Sequence, residues 1–180
     1  EAEGTMINSG DFNGMNNREA LPKMIDYMAE KWLERTSLLL GDEKLNKLQN
    51  ANVLVVGLGG VGAYAAEMIA RAGVGRMTIA DADVVSESNI NRQLFATWET
   101  VGRLKADVAK ERIAAINPAA QVDTRQVLIN DKTLPTLFAD DWSTPPDFVV
   151  DAIDSLAPKV ELLAAALEAE IPVLSSMGAA

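Results

Sequence analysis

A cluster of glycines has the spacing of a phosphate-binding loop. Gly57, Gly59 and Gly62 satisfy the pattern G-x-G-x-x-G, and Gly60 adds a fourth glycine. An apolar run precedes the cluster and a helix-forming run follows it, which is the context that this pattern requires. Gly57 allows a tight turn, Gly59 lets a phosphate approach the backbone, and Gly62 allows close helix–strand packing. The alternative is that these glycines serve only a tight strand-to-helix turn.

A carboxylate follows the glycine cluster at the distance where nucleotide-binding folds hold a ribose. Asp81 ends the next apolar run, and its side chain is expected to accept hydrogen bonds from ribose hydroxyls. Asp83 is expected to be a loop or capping residue. These residues alone fit an NAD-dependent oxidoreductase and an ATP-using enzyme equally well.

Two cations in the next segment favour ATP over NAD. Arg92 lies in a polar loop with Asn89, and Lys105 follows in the run Val-Gly-Arg-Leu-Lys. Cations beside the crevice would help neutralise a triphosphate, whose charge exceeds that of the pyrophosphate bridge in NAD. The alternatives are a surface-loop arginine and a lysine on a solvated helix face.

Two carboxylates follow a later apolar run, where a strand of the predicted sheet ends. Open α/β sheets bind ligands at the carboxyl ends of their strands, so both carboxylates are expected near the crevice. Asp154 is the candidate for holding Mg²⁺ against the phosphates, while Asp151 is expected to cap a helix or to hydrogen-bond within the crevice. Alternatively, either one caps the helix predicted to begin near Pro158.

The composition limits the chemistry that these residues can perform. The chain has 180 residues, 48% hydrophobic and 23% charged, which suits one globular domain. It contains no Cys and no His, which excludes disulfides, Cys/His zinc sites and a Ser-His-Asp triad within these residues. The net charge of −10 is opposite in sign to the field that attracts nucleic acid. Chemistry must therefore use carboxylates, Lys, Arg, hydroxyls and backbone amides.

Alternating strands and helices must position these groups. Apolar runs predict five strands, at residues 53–56, 77–80, 121–127, 148–152 and 171–174. Periodicity and breakers predict helices at residues 19–32, 42–49, 61–72, 101–116 and 158–169. The predicted fold class is α/β: a Rossmann-like, mostly parallel sheet with helices on both faces, preceded by N-terminal helices.

The chain divides into three predicted parts. Residues 1–17 are expected to be disordered or added during cloning, residues 18–50 are expected to form an N-terminal helical segment, and residues 51–180 are expected to form an ATP-binding domain. The glycine turn after the last strand predicts that the natural domain continues beyond Ala180. Neither a membrane span nor a secretory signal is expected, which favours a cytoplasmic protein.

Five separated motifs occur in an order and spacing that resemble the adenylating domain of the ThiF/MoeB/ubiquitin-activating-enzyme superfamily. They are Gly57-Leu-Gly-Gly-Val-Gly62, Asp81-Ala-Asp83, Asn89-Ile-Asn-Arg-Gln93, Val101-Gly-Arg-Leu-Lys105 and Asp151-Ala-Ile-Asp154. The resemblance implies that the glycine loop and Asp81 bind the nucleotide, that Asn89, Arg92 and Lys105 bind its phosphates, and that Asp154 binds Mg²⁺. In related enzymes an arginine from the N-terminal segment of the other protomer reaches the phosphates. Arg35 is the nearest match, which implies a homodimer.

Within that superfamily, residues 89–93, residues 151–155 and the downstream Ser-Ser-Met-Gly-Ala resemble the bacterial tRNA threonylcarbamoyladenosine dehydratases. That subgroup implies that ATP adenylates a carboxylate of a modified tRNA. A nitrogen of the same nucleoside then closes a ring and releases AMP, which needs no enzyme thiol and so suits a chain without Cys.

Two alternatives to the dehydratase stay open. One is MoeB/ThiF-type adenylation of the C-terminus of a ubiquitin-like sulfur-carrier protein, which would bring a sulfur-transfer or ubiquitin-like partner. The other is a nucleotide-binding fragment without activity. The acidic net charge is the main argument against a tRNA substrate, unless positive residues cluster locally.

Overall fold

The computed structural model describes residues 31–130, 132–138 and 145–176, which form a single parallel sheet with flanking helices. Five strands run in the order β3-β2-β1-β4-β5. Their bounds are β1 Asn52–Val56, β2 Arg76–Ala80, β3 Gln121–Arg125, β4 Phe148–Asp151 and β5 Val173–Ser175. The helices are α1 Glu34–Leu40, α2 Asp42–Asn50, α3 Gly62–Ala72, α4 Lys105–Ile116, α5 Leu134–Phe138 and α6 Leu156–Glu168. The predicted α/β class and parallel sheet are confirmed.

The strand order changes direction at β1, and this places the crevice. The chain runs outward from β1 to β2 and β3, then returns to add β4 and β5 on the other side. All five residues of β1 are buried, as expected for a central parallel strand covered on both faces. The carboxyl ends of β1 and β4 therefore flank a switch point, which is where open α/β sheets bind ligands.

Two apolar clusters cover the two faces of the sheet. On one face, Val53 and Val55 of β1 pack with alanines of α3 and with Ile113 of α4. On the other, Leu54 and Val56 pack with residues of α5 and α6. Alternate residues of β1 thus pack into the apolar clusters on opposite faces of the sheet, and this fixes the register of the sheet against its helices.

One predicted helix begins later than expected, so that Lys105 lies at the start of the helix rather than in its second turn. The helix predicted from residue 101 starts at Lys105. Gly102 adopts a left-handed φ of 84°, and Leu104 forms an antiparallel bridge with Val84. The backbone N–H of Val85 also donates to the carbonyl of Arg103 over 2.8 Å. Residues 101–104 therefore form a loop that is hydrogen-bonded to residues 84–85, and Lys105 is the first residue of α4.

The remaining differences are small. Strand β3 ends at Arg125 rather than residue 127, strand β5 begins at Val173 rather than residue 171, and α6 begins two residues earlier than predicted. The helices α1 and α5 and a 3₁₀ turn at Glu87–Asn89 were not predicted. The predicted segment 1–17, and the predicted helix at 19–32 except its last two residues, lie outside the described residues. No helix in the described ranges is long and apolar enough to span a membrane.

Candidate functional site

The glycine loop joins β1 to α3, and its first and last glycines are required by the fold itself. Gly57 has a φ of 89°, and a Cβ there would lie 2.9 Å from the carbonyl oxygen of Ala152. A Cβ on Gly62 would collide with the carbonyl of Gly57 and lie 3.0 Å from Ala152 Cβ. The tight turn and the close packing predicted for these two glycines are both present.

The two middle glycines are not required in this way. A Cβ on Gly59 would meet no atom within 4 Å. A Cβ on Gly60 would lie 3.6 Å from the carbonyl oxygen of Arg92, which is ordinary van der Waals contact. Protein packing therefore gives no reason for glycine at residue 59, whereas close approach of a ligand to the backbone would.

Asp81 at the end of β2 is tied directly to the glycine loop. Its Oδ2 accepts from the backbone N–H of Leu58 over 2.6 Å, and its Oδ1 accepts from that of Asp83 over 2.7 Å. Burial raises the pKa of the Asp81 carboxyl, and the hydrogen bonds from Asp83 and Leu58 and the charge of Lys105 oppose that rise. Asp81 thus orders the loop, a structural role that its motif spacing did not reveal.

Lys105 reaches the same network through Asp83. Its ammonium donates to Asp83 Oδ2 over 2.8 Å, and its backbone N–H donates to the Asp83 carbonyl over 3.0 Å. The Lys105 side chain is only 8% exposed, whereas that of Asp83 is 68% exposed. Lys105 is therefore not on a solvated helix face, and Asp83 is its ion-pair partner as well as a loop residue.

Arg92 lies beside the glycine loop, because its carbonyl oxygen is 3.6 Å from the place that a Cβ on Gly60 would occupy. Its Nη1 donates to the carbonyl of Ser88 over 2.8 Å and to Asn91 Oδ1 over 3.0 Å. No acidic side chain in the described ranges forms an ion pair with it. The guanidinium charge is thus available to an anion at the loop.

Asn89 is buried and organises the 3₁₀ turn. Its side-chain oxygen accepts from the backbone N–H of Ser86 over 3.0 Å, while the Ser86 side chain bonds to the Asn89 backbone, which is a capping box. Its side-chain oxygen is thus engaged in holding the loop that carries Arg92. Contact with a phosphate through its amide nitrogen stays a prediction.

The two carboxylates after β4 have different environments. Asp154 is exposed, and Ser155 Oγ donates to its Oδ1 over 3.2 Å. Asp151 is fully buried in an ion pair with Lys159, with 2.5 Å between Nζ and Oδ2. Asp151 therefore hydrogen-bonds with Lys159 and does not cap the helix that follows. Sequence reasoning missed Lys159, because no motif covers it and the only signal was a lysine among apolar residues in a helix.

The residues at this edge suit Mg²⁺ only together with a nucleotide. The described residues contain no group of three or more His, Cys, Asp or Glu side chains that would hold a metal by themselves. Mg²⁺ at nucleotide sites uses one or two carboxylates together with phosphates and water. One exposed carboxylate, Asp154, at the carboxyl end of a strand matches that donor set.

Arg35 is not brought to this edge within its own chain. It lies in α1 and is exposed, two residues after Leu33, whose side chain would touch a Cβ at Gly73. Gly73 follows the last residue of α3, whereas the glycine loop precedes the first, and 11 residues of α-helix separate them by about 16 Å. Within its own chain Arg35 therefore lies far from the glycine loop, and its contact with phosphates bound by another protomer stays a prediction.

Comparison with known proteins matches the same part of the chain. The model of the ThiF family matches residues 33–180. The tRNA threonylcarbamoyladenosine dehydratase of Bacillus subtilis is 44% identical over 81% of this chain and 56% of its own length. The Escherichia coli molybdopterin-synthase adenylyltransferase is 38% identical over 71% of this chain and 49% of its own length. The chain thus spans about half the length of these curated relatives.

Solved structures agree on the fold. The crystal structure of the E. coli tRNA N6-threonylcarbamoyladenosine dehydratase in complex with ATP superimposes with a TM-score of 0.78 at 37% identity, over 83% of this chain and 60% of that one. The AMP complex of the same enzyme gives a TM-score of 0.75 at 38% identity, over 80% and 57%.

Proposed function

Since the chain belongs to the ThiF family, we propose that it uses ATP to adenylate a carboxylate, and that this carboxylate belongs to threonylcarbamoyladenosine in tRNA. The observation that carries ATP use rather than dinucleotide use is the charge of Arg92, which lies beside the glycine loop and forms no ion pair with an acidic side chain in the described ranges. The choice of substrate is supported by the 44% identity to the B. subtilis dehydratase. A tRNA substrate implies a cytoplasmic location.

The proposed binding mode divides the nucleotide between the two sides of the loop. Each carboxylate oxygen of Asp81 accepts one backbone hydrogen bond, and the remaining lone pairs accept hydrogen bonds from the ribose hydroxyls. The open backbone at Gly59 binds the phosphates. Arg92 and Lys105 stand beside the loop as cations, and Asn89 holds the turn that carries Arg92. Their charge supports a triphosphate better than a dinucleotide.

In the proposed reaction a carboxylate oxygen attacks the α-phosphorus of ATP. A bond forms between this oxygen and phosphorus, and the bond to the β-phosphate oxygen breaks, releasing pyrophosphate. Arg92 and Lys105 donate hydrogen bonds to the negative charge that develops on pyrophosphate. Lys105 is oriented for this by Asp83, and Arg92 by the Ser88 carbonyl.

Asp154 is the residue proposed to hold Mg²⁺ beside the phosphates. The ion would neutralise phosphate charge and template the nucleotide when bound. Asp154 is exposed, and among the residues that the structure describes its carboxylate accepts a hydrogen bond only from Ser155, so its remaining oxygen lone pairs are available.

The second step proposed is a cyclisation within the modified nucleoside. A nitrogen of the threonylcarbamoyl group attacks the activated carbonyl and loses its proton to solvent, the ring closes, and the bond between the carbonyl carbon and the AMP oxygen breaks, so that AMP leaves with the former carboxylate oxygen. The chain needs no cysteine for this step, which suits a sequence without Cys.

A second candidate substrate is the C-terminal carboxylate of a ubiquitin-like sulfur-carrier protein. The 38% identity to the E. coli molybdopterin-synthase adenylyltransferase favours it. The adenylation step and its residues would be the same, and only the partner would differ.

A homodimer belongs to the proposal, because Arg35 lies at the opposite edge of its own sheet from the glycine loop. In the dimer, Arg35 of one protomer would approach the phosphates bound by its partner. This would add a third cation to Arg92 and Lys105.

Exchange of labelled pyrophosphate into ATP by the complete protein tests the proposal. We expect tRNA that carries threonylcarbamoyladenosine to stimulate exchange, and unmodified tRNA to have no effect. Stimulation only by a sulfur-carrier protein would favour the second candidate. Lys105→Ala and Arg92→Ala should each reduce exchange at least about 100-fold; near-normal rates would remove them from the site.

A further inference from the structure

A buried ion pair at the carboxyl end of β4 has no part in the reaction as proposed. Lys159 and Asp151 have side chains that are 5% and 0% exposed, and Nζ lies 2.5 Å from Oδ2. Burying two charges is costly, and apolar side chains of similar volume often stabilise a fold equally well. Stability alone is therefore a weak reason for an ion pair here.

The pair ties together three segments that meet at the crevice. Ser175 Oγ at the end of β5 donates to Asp151 Oδ2 over 2.6 Å. The Lys159 ammonium in α6 also donates to the Ser176 carbonyl over 2.9 Å, and the Ser176 amide donates back to the Asp151 carbonyl over 2.9 Å. The ends of β4 and β5 and the first part of α6 are thus held as one unit.

The same carboxylate shapes the segment that leads to Asp154. Asp151 Oδ1 accepts from the backbone N–H of Ile153 over 3.0 Å, which turns the chain immediately after β4. Ala152 within this turn is the residue against which Gly57 and Gly62 pack. The turn therefore sets the backbone of residues 152–154 relative to the glycine loop.

Asp154 depends on this turn for its own position. Its side chain is exposed, and within the described ranges its only hydrogen bond comes from the neighbouring Ser155 hydroxyl. Mutation of side chains that orient a metal-binding group typically lowers metal affinity about 10- to 100-fold. The position of Asp154 is therefore set by the backbone of residues 152–154, which Asp151 holds through the Ile153 amide.

We propose that Lys159 is a positioning residue, which acts through Asp151 and the following turn to hold Asp154 toward a magnesium–nucleotide complex. Lys159 itself touches neither nucleotide nor metal. The inference rests on the proposed function, because it assigns Asp154 to Mg²⁺.

The test measures the affinity of the complete protein for ATP by calorimetry, once with excess Mg²⁺ and once with EDTA. Lys159→Met removes the ammonium but keeps the chain length. We expect unchanged affinity in EDTA, and a loss of about 10- to 100-fold in Mg²⁺. Lys159→Arg keeps the charge and should restore most of the affinity.

Arg112→Met is the matched control. Arg112 faces another buried carboxylate, Glu67, at 2.9 Å between α3 and α4, away from β4. This variant should lose stability without changing the effect of Mg²⁺ on ATP affinity. An equal loss of magnesium response in Arg112→Met would overturn the proposal, because it would mark a general effect of destabilisation.

If Lys159→Met does not fold, Ser175→Ala is the variant in which the same magnesium dependence of ATP affinity is measured. It removes one donor to Asp151 but leaves the ion pair, so we expect a smaller loss confined to Mg²⁺. A folded Lys159→Met, or failing that Ser175→Ala, with the magnesium response of the wild type would overturn the proposal. Wild-type protein that binds no ATP would instead overturn the proposed function, and this is seen before any variant is made.

Discussion

Alanine at residue 59 separates the folding role of the glycine loop from its binding role. A methyl group there would contact no atom within 4 Å, and Gly59 is not among the glycines with a left-handed backbone. Gly→Ala at an unstrained, open position stabilises a protein by about 0.4–1 kcal/mol, because the unfolded chain loses freedom. We therefore expect Gly59→Ala to melt at or slightly above the temperature of the wild type.

The same methyl group would occupy the space in which a phosphate approaches the loop. Overpacking a close contact costs about 1–3 kcal/mol, which corresponds to an ATP affinity about 5- to 150-fold weaker. Thermal denaturation followed by circular dichroism, together with calorimetric titration of ATP, measures both quantities on one preparation.

Gly62→Ala is the contrasting variant. Its Cβ would collide with the carbonyl of Gly57 and press on Ala152. We expect a loss of about 1–3 kcal/mol or more in the free energy of unfolding, and a Tm lowered by about 2–12 °C.

Wild-type ATP affinity in a stable Gly59→Ala would refute the reasoning, because the open backbone at residue 59 would then have no role in binding. A Gly59→Ala that unfolds as readily as Gly62→Ala would contradict the packing on which the comparison rests.

Three further predictions follow from the ion pairs and the proposed dimer. Arg112 and then Arg71 hold the pKa of Glu67 below its ordinary value of 4.5; this contribution to stability is complete above that pH and is lost as the pH falls through the lower folded pKa. Glu67→Gln should therefore flatten the acid side of the stability profile, and a profile as steep as the wild type's would contradict this assignment. Mixing inactive Arg35→Ala with inactive Lys105→Ala should restore part of the pyrophosphate exchange if Arg35 acts across a dimer, and no recovery in mixed dimers would exclude that role. Asp83→Asn should lower pyrophosphate exchange, because it weakens the contact that orients Lys105. Asp107→Asn, at an exposed residue on the same helix as Lys105, should not lower it. Equal exchange rates in the two variants would contradict a role of the ion pair in orienting Lys105.

The sequence predicted the sheet and the two glycines that the loop between β1 and α3 requires. The buried runs of β1 and β4 and the glycines at residues 57 and 62 have local signals, since apolar continuity and G-x-G-x-x-G spacing depend on neighbouring residues alone. The family predicted from five motifs is confirmed by the family model that matches residues 33–180.

The ion pairs of the site could not be predicted in the same way. Asp83 meets Lys105 only because Leu104 pairs with Val84 and delays the start of α4, and this pairing is a tertiary contact. Lys159 reaches Asp151 through the packing of α6 on the sheet, for which periodicity gives the face but not the partner. Motif spacing therefore indicated Lys105 and Asp151, while their partners needed the fold.

The path of an oxygen atom tests the central claim most directly. Modified tRNA labelled with ¹⁸O in the threonyl carboxylate would be incubated with the complete protein and ATP, and the nucleotide products analysed by mass spectrometry. Attack of the carboxylate on the α-phosphorus predicts AMP and pyrophosphate, with a labelled oxygen in the AMP. Formation of ADP with label in inorganic phosphate, or of AMP without label, would contradict adenylation of this carboxylate.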